Sequence, residues 1–295
     1  MRCRTLYSLG KLAKMMHQVR LHEWGDLHRL QSLLRVLPNT MVSVRRLINA
    51  YECVRTIEEE NLAGAIVECG VCSGGCIGLM ALASRRYGDK ARKFHLFDSF
   101  QGLPQPSLHD ADVVDAFRSA HPGVEPDDGG DPRQLVPIDV CVGGSAEEVE
   151  LFLFDRLHLD PRQIIMHRGW FQETVPAAKE AMGRVAILRL DGDLYESTRV
   201  CLEHLYDLVI EGGFVIIDDY GTFEGCRNAV EEFFSAHNLA PDLIDIDGHC
   251  VFFRKPAAPH STPARAARDA AHELIECVKQ RHSGLKAVAQ PVGVR

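Results

Sequence analysis

The chain has 295 residues with a formal net charge of −8, and 46% of its residues are hydrophobic. A chain of this length can bury one large core, and its negative charge argues against binding to nucleic acid or to an anionic membrane. It contains no apolar run of the roughly 20 residues that cross a bilayer, and no apolar core follows its basic start as in a secretory signal.

Ten cysteines are scattered along the chain without the spacing of a disulfide framework. This usage suits a reducing compartment, so we expect a cytoplasmic protein. Cys69, Cys72 and Cys76 could be read as a metal clip, but no fourth Cys or His follows at a matching spacing.

The first 24 residues are basic and carry apolar residues at helical spacing. Organelle transit peptides share this composition; a helix that packs on the core, or on a second copy of the chain, also explains it and is preferred because the stretch is poor in Ser. Further helices are predicted over about 26–36 and 43–60. We assign residues 1–39 to an N-terminal helical segment. Its helices could also join copies of the chain into a homo-oligomer.

A buried strand at residues 65–69 leads through a glycine-rich turn into a helix from about 76 to 86. Glycines let a ligand approach the backbone, and the free N–H groups of the helix start are polar. The spacing differs from the G-x-G-x-x-G dinucleotide fingerprint. Glu68 at the strand end would repel a pyrophosphate and attract an ammonium group. The turn therefore favours a cationic ligand.

The second strand, residues 93–97, ends in Asp98, where nucleotide-binding α/β folds hold ribose hydroxyls; a simple turn aspartate is the alternative. Residues 104–137 are then rich in Pro, Gly and Asp, with a short helix expected at 111–120. Loops this long inside a domain are often lids. We expect a lid here, mobile without ligand over 104–133.

The remaining elements continue the alternation of strands and helices. A capping box at Ser145 opens a helix to about 157, and Pro176 is expected to start another. The other predictions are strands at 163–167 and 185–188, helices at 196–209 (closed by Gly212-Gly213) and 223–237, and a hairpin over 243–253. Residues 256–295 form an Ala/Pro-rich tail, predicted to be partly helical or disordered.

Two buried strands end in acidic residues. Residues 185–190 lead into Asp191 and Asp193, and residues 214–217 lead into Asp218 and Asp219. The carboxyl ends of parallel strands meet at one rim, where ligands bind. Carboxylates gathered there repel one another unless a proton or a cation offsets them, and Mg²⁺ prefers such oxygen ligands. The alternative is that these aspartates only cap helices and form turns.

Six short motifs occur in a fixed order: E-x-G-x-x-x-G-G after the first strand, D-S-F-x-G-L-P, S-x-E-E-V, G-W-F-x-E-T-x-P, L-D-G-D-L-Y-E-S-T, and I-D-D-Y-G with C-R-x-A-V. With them the chain resembles the macrocin O-methyltransferase family over roughly residues 40–255. The resemblance implies an α/β fold of the class I methyltransferase (Rossmann-like) type, a mostly parallel sheet with helices on both faces and an antiparallel edge hairpin. It also implies S-adenosylmethionine and Mg²⁺ as cofactors, and methylation of a small-molecule hydroxyl, typically on an antibiotic deoxysugar.

The resemblance places the cofactor on the motif residues. Glu68 would face the methionine ammonium, Asp98 the ribose, and Ser145 and Trp170 the adenine, although Trp170 could also be ordinary core. The expected cofactor-binding residues are Glu68, Gly70, Ser73, Gly74, Gly75, Asp98, Ser99, Phe100, Ser145, Gly169, Trp170, Phe171 and Asp191.

Methyl transfer to an alcohol requires its oxygen to lose a proton. A bound Mg²⁺ lowers the pKa of the hydroxyl and a carboxylate takes the proton. The metal ligands are assigned to Asp191, Asp218 and Asp219, and the base to Asp193. Asp191 and Asp193 could exchange roles.

Other assignments and functions stay open on the sequence. Tyr195 and Tyr220 are expected to bind the acceptor, and His167 or His249 would be the base if Asp193 is a ligand. The nearest alternative function is a Mg²⁺-dependent catechol-type O-methyltransferase. A nicotinamide-dependent oxidoreductase and a non-catalytic cofactor-binding scaffold are further rivals.

Overall fold

The computed structural model describes residues 26–88, 92–129, 131–135, 137–138 and 143–256. The described residues up to Lys255 belong to one compact unit. The expectations for residues 1–24 and for the tail after Pro256 fall outside the described residues. Within the described part, no helix combines the length and the apolar character needed to cross a membrane.

Helices and strands alternate along the chain as the sequence predicts. The helices are α1 (Leu27–Val36), α2 (Val44–Glu59), α3 (Gly75–Tyr87), α4 (Ala111–Ala120), α5 (Ala146–Glu150, continued by a π-helical turn over Leu151–Arg156), α6 (Phe171–Met182), α7 (Tyr195–Leu205) and α8 (Glu224–Ala236). The strands are β1 (Ala65–Cys69), β2 (Phe94–Asp98), β3 (Leu103–Pro104), β4 (Pro137–Ile138), β5 (Ile164–Arg168), β6 (Val185–Leu190), β7 (Val209–Ile217), β8 (Ile244–Asp245) and β9 (Val251–Arg254).

Seven strands form one sheet in the order β5-β2-β1-β6-β7-β9-β8, and β3 and β4 form a separate pair. Strands β5, β2, β1, β6 and β7 are parallel, whereas β9 runs antiparallel to β7 and to β8. This confirms a mostly parallel sheet with an antiparallel edge hairpin. The chain reverses direction across the sheet between β1 and β6, and ligands of open α/β sheets bind at such a switch point.

The two central strands β1 and β6 are buried along their whole length. Alternate side chains point to opposite faces of a sheet, so Val67 and Leu188 join the core cluster that includes α6, α7 and α8. Glu68 and Arg189 point to the other face, and they are register partners across β1 and β6. The pleat therefore places a carboxylate and a guanidinium group side by side in the middle of the sheet.

Two local predictions about where elements begin and end are wrong. Pro176 does not start a helix, because α6 begins at Phe171 and Pro176 lies inside it. Gly212-Gly213 does not close α7, because both glycines belong to β7. A Cβ on Gly213 would lie 2.8 Å from the Ala186 carbonyl oxygen, so close approach of β6 to β7 explains that glycine.

Two histidines face each other on β2 and β5. His95 Nδ1 lies 3.0 Å from His167 Nε2, and the His167 ring also stacks on Phe97 at 4.1 Å. His95 is only 5% exposed. Burial, with the neighbouring His167 and Lys93, lowers the pKa of His95 to about 4, so the folded protein holds this imidazole neutral.

His95→Gln is expected to make the protein less sensitive to acid. When the pKa of a histidine is lower in the folded state than in the unfolded chain, its contribution to stability is complete above pH 6.5, where neither state has taken up the proton. That contribution fades as the pH falls from 6.5 toward about 4, by roughly 3 kcal/mol for one such group. Urea unfolding at a series of pH values should therefore give wild type a steeper acid limb than the variant, with His249→Gln on an exposed turn as the control. Equal slopes in that interval would contradict the expectation.

Candidate functional site

A cavity of about 470 Å³ opens at the carboxyl ends of the central strands. Its lining includes residues that follow β1, β2, β6 and β7, together with the segment before α2 and the start of α6. The expected residues that line it are Glu68, Gly70, Asp98, Ser99, Phe100, Ser145, Trp170, Phe171, Asp191, Asp193, Asp218 and Asp219. The acidic strand ends predicted to share one rim are therefore brought together.

Arg189 is the centre of a buried charge network beneath this cavity. Its side chain is 1% exposed and forms ion pairs with Glu68 at 2.9 Å, Asp191 at 2.8 Å and Asp218 at 2.6 Å. A guanidinium offers five N–H donors in a fixed plane, which suits one cation that serves three carboxylates. Arg46 extends the network, because it bonds both to Asp218 and to Asp247.

Glu68 carries an unsatisfied oxygen in this network. Its Oε1 accepts from Arg189, while its Oε2 is buried and meets no hydrogen-bond partner of normal geometry among the described residues. The Cys76 thiol, a weak donor, lies near enough to the carboxyl to lower its pKa slightly. Burial raises the pKa of Glu68 to about 7, and Arg189 opposes that rise. A buried acceptor without a partner is costly, so this atom marks a position that suits a donor from a ligand.

Three carboxylates form the cluster best suited to a metal ion. Oxygen atoms of Asp191, Asp193 and Asp219 all lie within 4.8 Å of one another. Burial and its acidic neighbours raise the pKa of Asp219, and burial raises the pKa of Asp191 to about 6. The backbone N–H of Asp193 donates to Asp219 at 3.1 Å. Such a set of hard oxygen donors fits Mg²⁺.

Asp218, expected as a metal ligand, has a different setting from Asp219. One carboxylate oxygen accepts from Arg189 and the other from Arg46. Both residues lie in the turn after β7, where Asp218 bonds to Arg189 and Asp219 instead accepts from the backbone N–H of Asp193. Asp193, rather than the expected Asp218, completes the oxygen cluster with Asp191 and Asp219.

Asp98 organises the glycine-rich turn. One of its oxygens accepts from the backbone N–H groups of Val71 and Cys72 at 2.8 and 2.9 Å, and the other from Phe100 at 2.7 Å. Gly70 has a φ of 91°, and a Cβ there would lie 1.8 Å from the Asp191 carbonyl oxygen. Asp98 and Gly70 thus fix how closely β1 approaches the acidic end of β6.

Gly74 and Gly75 have packing roles in this structure. A Cβ on Gly75 would lie 2.4 Å from the Asn39 carbonyl oxygen and 2.5 Å from Thr40. Gly74 is the left-handed N-cap of α3 with a φ of 81°. Neither residue lines the cavity, and neither do Ser73 and Gly169. Gly75 instead lets the segment before α2 lie against the turn and reach the cavity.

Both tyrosines expected at the acceptor lie outside the cavity lining. The Tyr195 hydroxyl donates to Glu232 at 2.6 Å and the Tyr220 hydroxyl to Glu231 at 3.1 Å. His167 and His249, the alternative bases, are also absent from the lining.

Sequence reasoning missed both arginines of the site and the segment before α2. An arginine inside an otherwise apolar strand was a usable signal, because a buried charge needs a partner. Arg46 gave no such signal, since it lies on the first turn of an ordinary amphipathic helix. The missed lining residues of that region are Asn39, Thr40, Met41, Val42 and Arg46.

Comparison with known proteins gives consistent matches. Residues 15–255 match the family model described as Macrocin-O-methyltransferase (TylF). The chain is 38% identical over 222 residues to 8-demethyl-8-(2,3-dimethoxy-alpha-L-rhamnosyl)-tetracenomycin-C 4'-O-methyltransferase of Streptomyces olivaceus, covering 75% of this chain and 77% of the relative. It is 32% identical over 219 residues to Mycinamicin III 3''-O-methyltransferase of Micromonospora griseorubida, covering 74% and 79%.

A solved structure agrees with these relatives. The O-methyltransferase NovP superposes with a TM-score of 0.61 at 32% identity, and the match covers 74% of this chain and 83% of that one.

Proposed function

Because the chain belongs to the macrocin O-methyltransferase family, and is therefore an S-adenosylmethionine-dependent O-methyltransferase, we propose that it methylates a sugar hydroxyl of a glycosylated natural product with the help of Mg²⁺. The sugar acceptor is supported by the name of the Streptomyces olivaceus relative, whose acceptor is a rhamnosyl-tetracenomycin. The name of a second relative gives mycinamicin III as its acceptor. The cation is supported by the charges of the cavity.

The charge balance of the cavity is the observation that carries the proposal. Among its described lining residues, six carry carboxylates and two carry guanidinium groups. Both guanidinium groups, on Arg46 and Arg189, are already bonded to carboxylates. Unbalanced carboxylates at such short range repel one another. Two cationic ligands, a sulfonium cofactor and a divalent metal, would offset that excess.

The cofactor would lie between the end of β1 and the end of β2. Glu68 Oε2 offers a buried acceptor for the ammonium group. Asp98 holds the turn between them in shape through three backbone N–H groups. Trp170 is half-buried and lines the cavity, so its ring face can stack on the adenine. S-adenosylmethionine supplies the electrophilic methyl group.

Asp191 and Asp219 would hold the cation, and Asp193 would accept the proton of the acceptor hydroxyl. When bound, Mg²⁺ supplies Lewis acidity that makes the hydroxyl easier to ionise. Asp193 is half-buried in the cavity wall, and its backbone N–H donates to Asp219. One of its carboxylate oxygens lies within 4.8 Å of oxygens of the two ligands. General-base help of this kind is worth about 10²–10⁴-fold in rate.

The test is turnover of the purified full chain with S-adenosylmethionine, scored as S-adenosylhomocysteine released. Neutral glycosides with a free sugar hydroxyl should turn over, simple catechols should not, and a chelator should stop the reaction until Mg²⁺ is restored. Undiminished turnover in excess chelator would overturn the metal part of the proposal. Turnover of catechols alone would overturn the acceptor class and favour the catechol-type rival.

Glu68→Gln is expected to weaken S-adenosylhomocysteine binding by about 1–3 kcal/mol, the cost of losing a charged hydrogen-bond partner. Without ligand, the pKa of Glu68 is raised to about 7. Below that pH, Glu68 must therefore lose its proton before it can pair with an ammonium group. Wild-type affinity should therefore increase more steeply than that of the variant as the pH rises from 5.5 through about 7.

Calorimetry across that pH interval measures this difference. Glu58→Gln is the matched control, since Glu58 is another buried carboxylate paired with an arginine, Arg92, but lies outside the cavity lining. Parallel pH profiles for wild type and Glu68→Gln would rule out the assigned role.

A further inference from the structure

The two helices that follow the acidic strand ends receive their N-terminal hydrogen bonds from elsewhere in the chain. The first N–H groups of a helix have no partner within the helix. Neither Leu194 before α7 nor Phe223 before α8 makes a side-chain cap. Both caps come from the Ser107–Asp112 segment, inside the region that the sequence predicted as a lid.

Asp110 caps α7 through a completely buried carboxylate. It is 1% exposed, and its Oδ1 accepts from the backbone N–H of Tyr195 at 2.7 Å. Its Oδ2 accepts from the backbone N–H and the hydroxyl of Ser107, both at 2.8 Å. A Cβ on Gly225 would lie 1.9 Å from Asp110 Oδ1, so α8 also closes against this carboxylate.

Two more contacts hold the same segment in place. Asp112 accepts from the backbone N–H of Glu224 at 3.0 Å, at the start of α8. The His109 ring stacks on the Tyr195 ring at 4.1 Å and 12°. Acidic groups at both helix N-termini also interact favourably with the helix dipoles.

The short loop between β6 and α7 is therefore fixed at both ends. At its start the backbone N–H of Asp191 donates to the Cys69 carbonyl at 2.8 Å. At its end Tyr195 donates to Asp110. Between them Asp193 has a φ of 59°, a left-handed conformation that aspartate tolerates better than most other non-glycine residues.

We propose that Asp110 is a positioning residue for the cation site, holding the loop 191–195 so that Asp193 stays beside Asp191 and Asp219. The inference rests on the proposed function for the cation itself. It also assigns a role to the segment that begins at the cavity wall. Gly102, Leu103 and Pro104 line the cavity, so one continuous stretch runs from that wall to the cap of α7.

The experiment measures Mn²⁺ and S-adenosylhomocysteine binding to full-chain variants, by calorimetry and electron paramagnetic resonance. Asp110→Ala should weaken Mn²⁺ at least about tenfold, which corresponds to roughly 1.4 kcal/mol, and change S-adenosylhomocysteine affinity less than about threefold on the same scale. Hydrogen exchange should also become faster at the amides of residues 193–195, without any ligand.

Two controls separate positioning from general loss of stability. Ser107→Ala removes one bond to the same carboxylate and leaves the bond to Tyr195, so Mn²⁺ affinity should stay near wild type. Asp26→Ala removes the cap of α1, where Asp26 accepts from Arg29 at 3.0 Å, and should leave Mn²⁺ affinity unchanged. If Asp110→Ala does not fold, Asp110→Asn replaces one accepting oxygen by an NH2 group, which must face the backbone N–H of either Tyr195 or Ser107. It should therefore weaken Mn²⁺ in the same direction.

The outcomes are distinct. If wild type binds Mn²⁺ and a folded Asp110 variant binds it equally well, the positioning role is wrong and the proposed function stands. The role is also wrong if Ser107→Ala or Asp26→Ala weakens Mn²⁺ as much as Asp110→Ala. If wild type binds no Mn²⁺, the metal part of the proposed function fails first and the positioning role fails with it.

Discussion

Arg189→Met is expected to lower the free energy of unfolding by about 3–5 kcal/mol at neutral pH, the usual cost of breaking a buried ion pair on one side. Arg189 is 1% exposed and bonded to Glu68, Asp191 and Asp218. Methionine fills a similar volume with no charge, so these carboxylates would remain together around an apolar side chain. Ion pairs on the exposed surface of this chain offer no comparable loss.

The pH dependence of the loss provides a sharper signature. Without Arg189 the pKa values of the buried carboxyls should rise further, because burial and mutual repulsion both favour the neutral form. Groups whose folded pKa is raised destabilise the fold most at high pH, and this penalty shrinks as they take up protons. The difference in unfolding free energy between wild type and Arg189→Met should therefore decrease between pH 8 and pH 5.

Urea unfolding of wild type and two arginine variants provides the comparison. Arg92→Met is the matched control, because Arg92 is also buried and pairs with Glu58 through two bonds at 2.6 and 2.8 Å. It should lose stability too, yet keep its affinity for S-adenosylhomocysteine, which Arg189→Met should lose. A loss under about 1 kcal/mol for Arg189→Met would contradict the network's structural importance, since surface pairs already reach that value.

The sequence predicted most of the sheet because the signals for its strands are local. Buried strands such as 65–69 read as short apolar runs, and their acidic ends share a rim whenever the strands are parallel. The Pro176 prediction failed because proline favours the first turn of a helix, yet α6 starts several residues earlier at Phe171. The Gly213 prediction failed for another reason. This glycine permits close contact between two strands, but in the sequence alone a glycine after a helical stretch has the pattern of a helix terminator.

The site was less predictable than the sheet because its arrangement depends on contacts between distant residues. Nothing in the neighbouring sequence distinguishes Asp218 from Asp219. They differ because Arg46 and Arg189 both bond to Asp218. Asp110 lies in a Pro/Gly/Asp-rich stretch whose composition suggests a loop, and only the fold brings it to the start of α7. Sequence reasoning found the carboxylates, but their partners decide their roles.

Asp219→Asn is expected to abolish cation binding and with it turnover, leaving S-adenosylhomocysteine affinity near wild type. Asp219 is buried within the oxygen cluster, and an amide offers a neutral and weaker ligand than a carboxylate. The neighbouring substitution Asp218→Asn is the matched control. Asp218 is bonded to two arginines, so its loss should lower stability while Mn²⁺ affinity changes much less than in Asp219→Asn.

Asp193→Asn separates the base from the ligands. If Asp193 accepts the acceptor's proton, this variant should still bind Mn²⁺ and S-adenosylhomocysteine but turn over about 10²–10⁴-fold more slowly, the usual contribution of a general base. Single-turnover rates and Mn²⁺ titrations on the same preparations measure both quantities. If Asp193→Asn loses the ion together with the rate, Asp193 is a third ligand, as its place in the oxygen cluster allows. Among the described lining residues, Asp98 would then be the remaining carboxylate outside the cluster and the arginine network. Asp98 is poorly suited to proton transfer, because it already accepts hydrogen bonds from three backbone N–H groups.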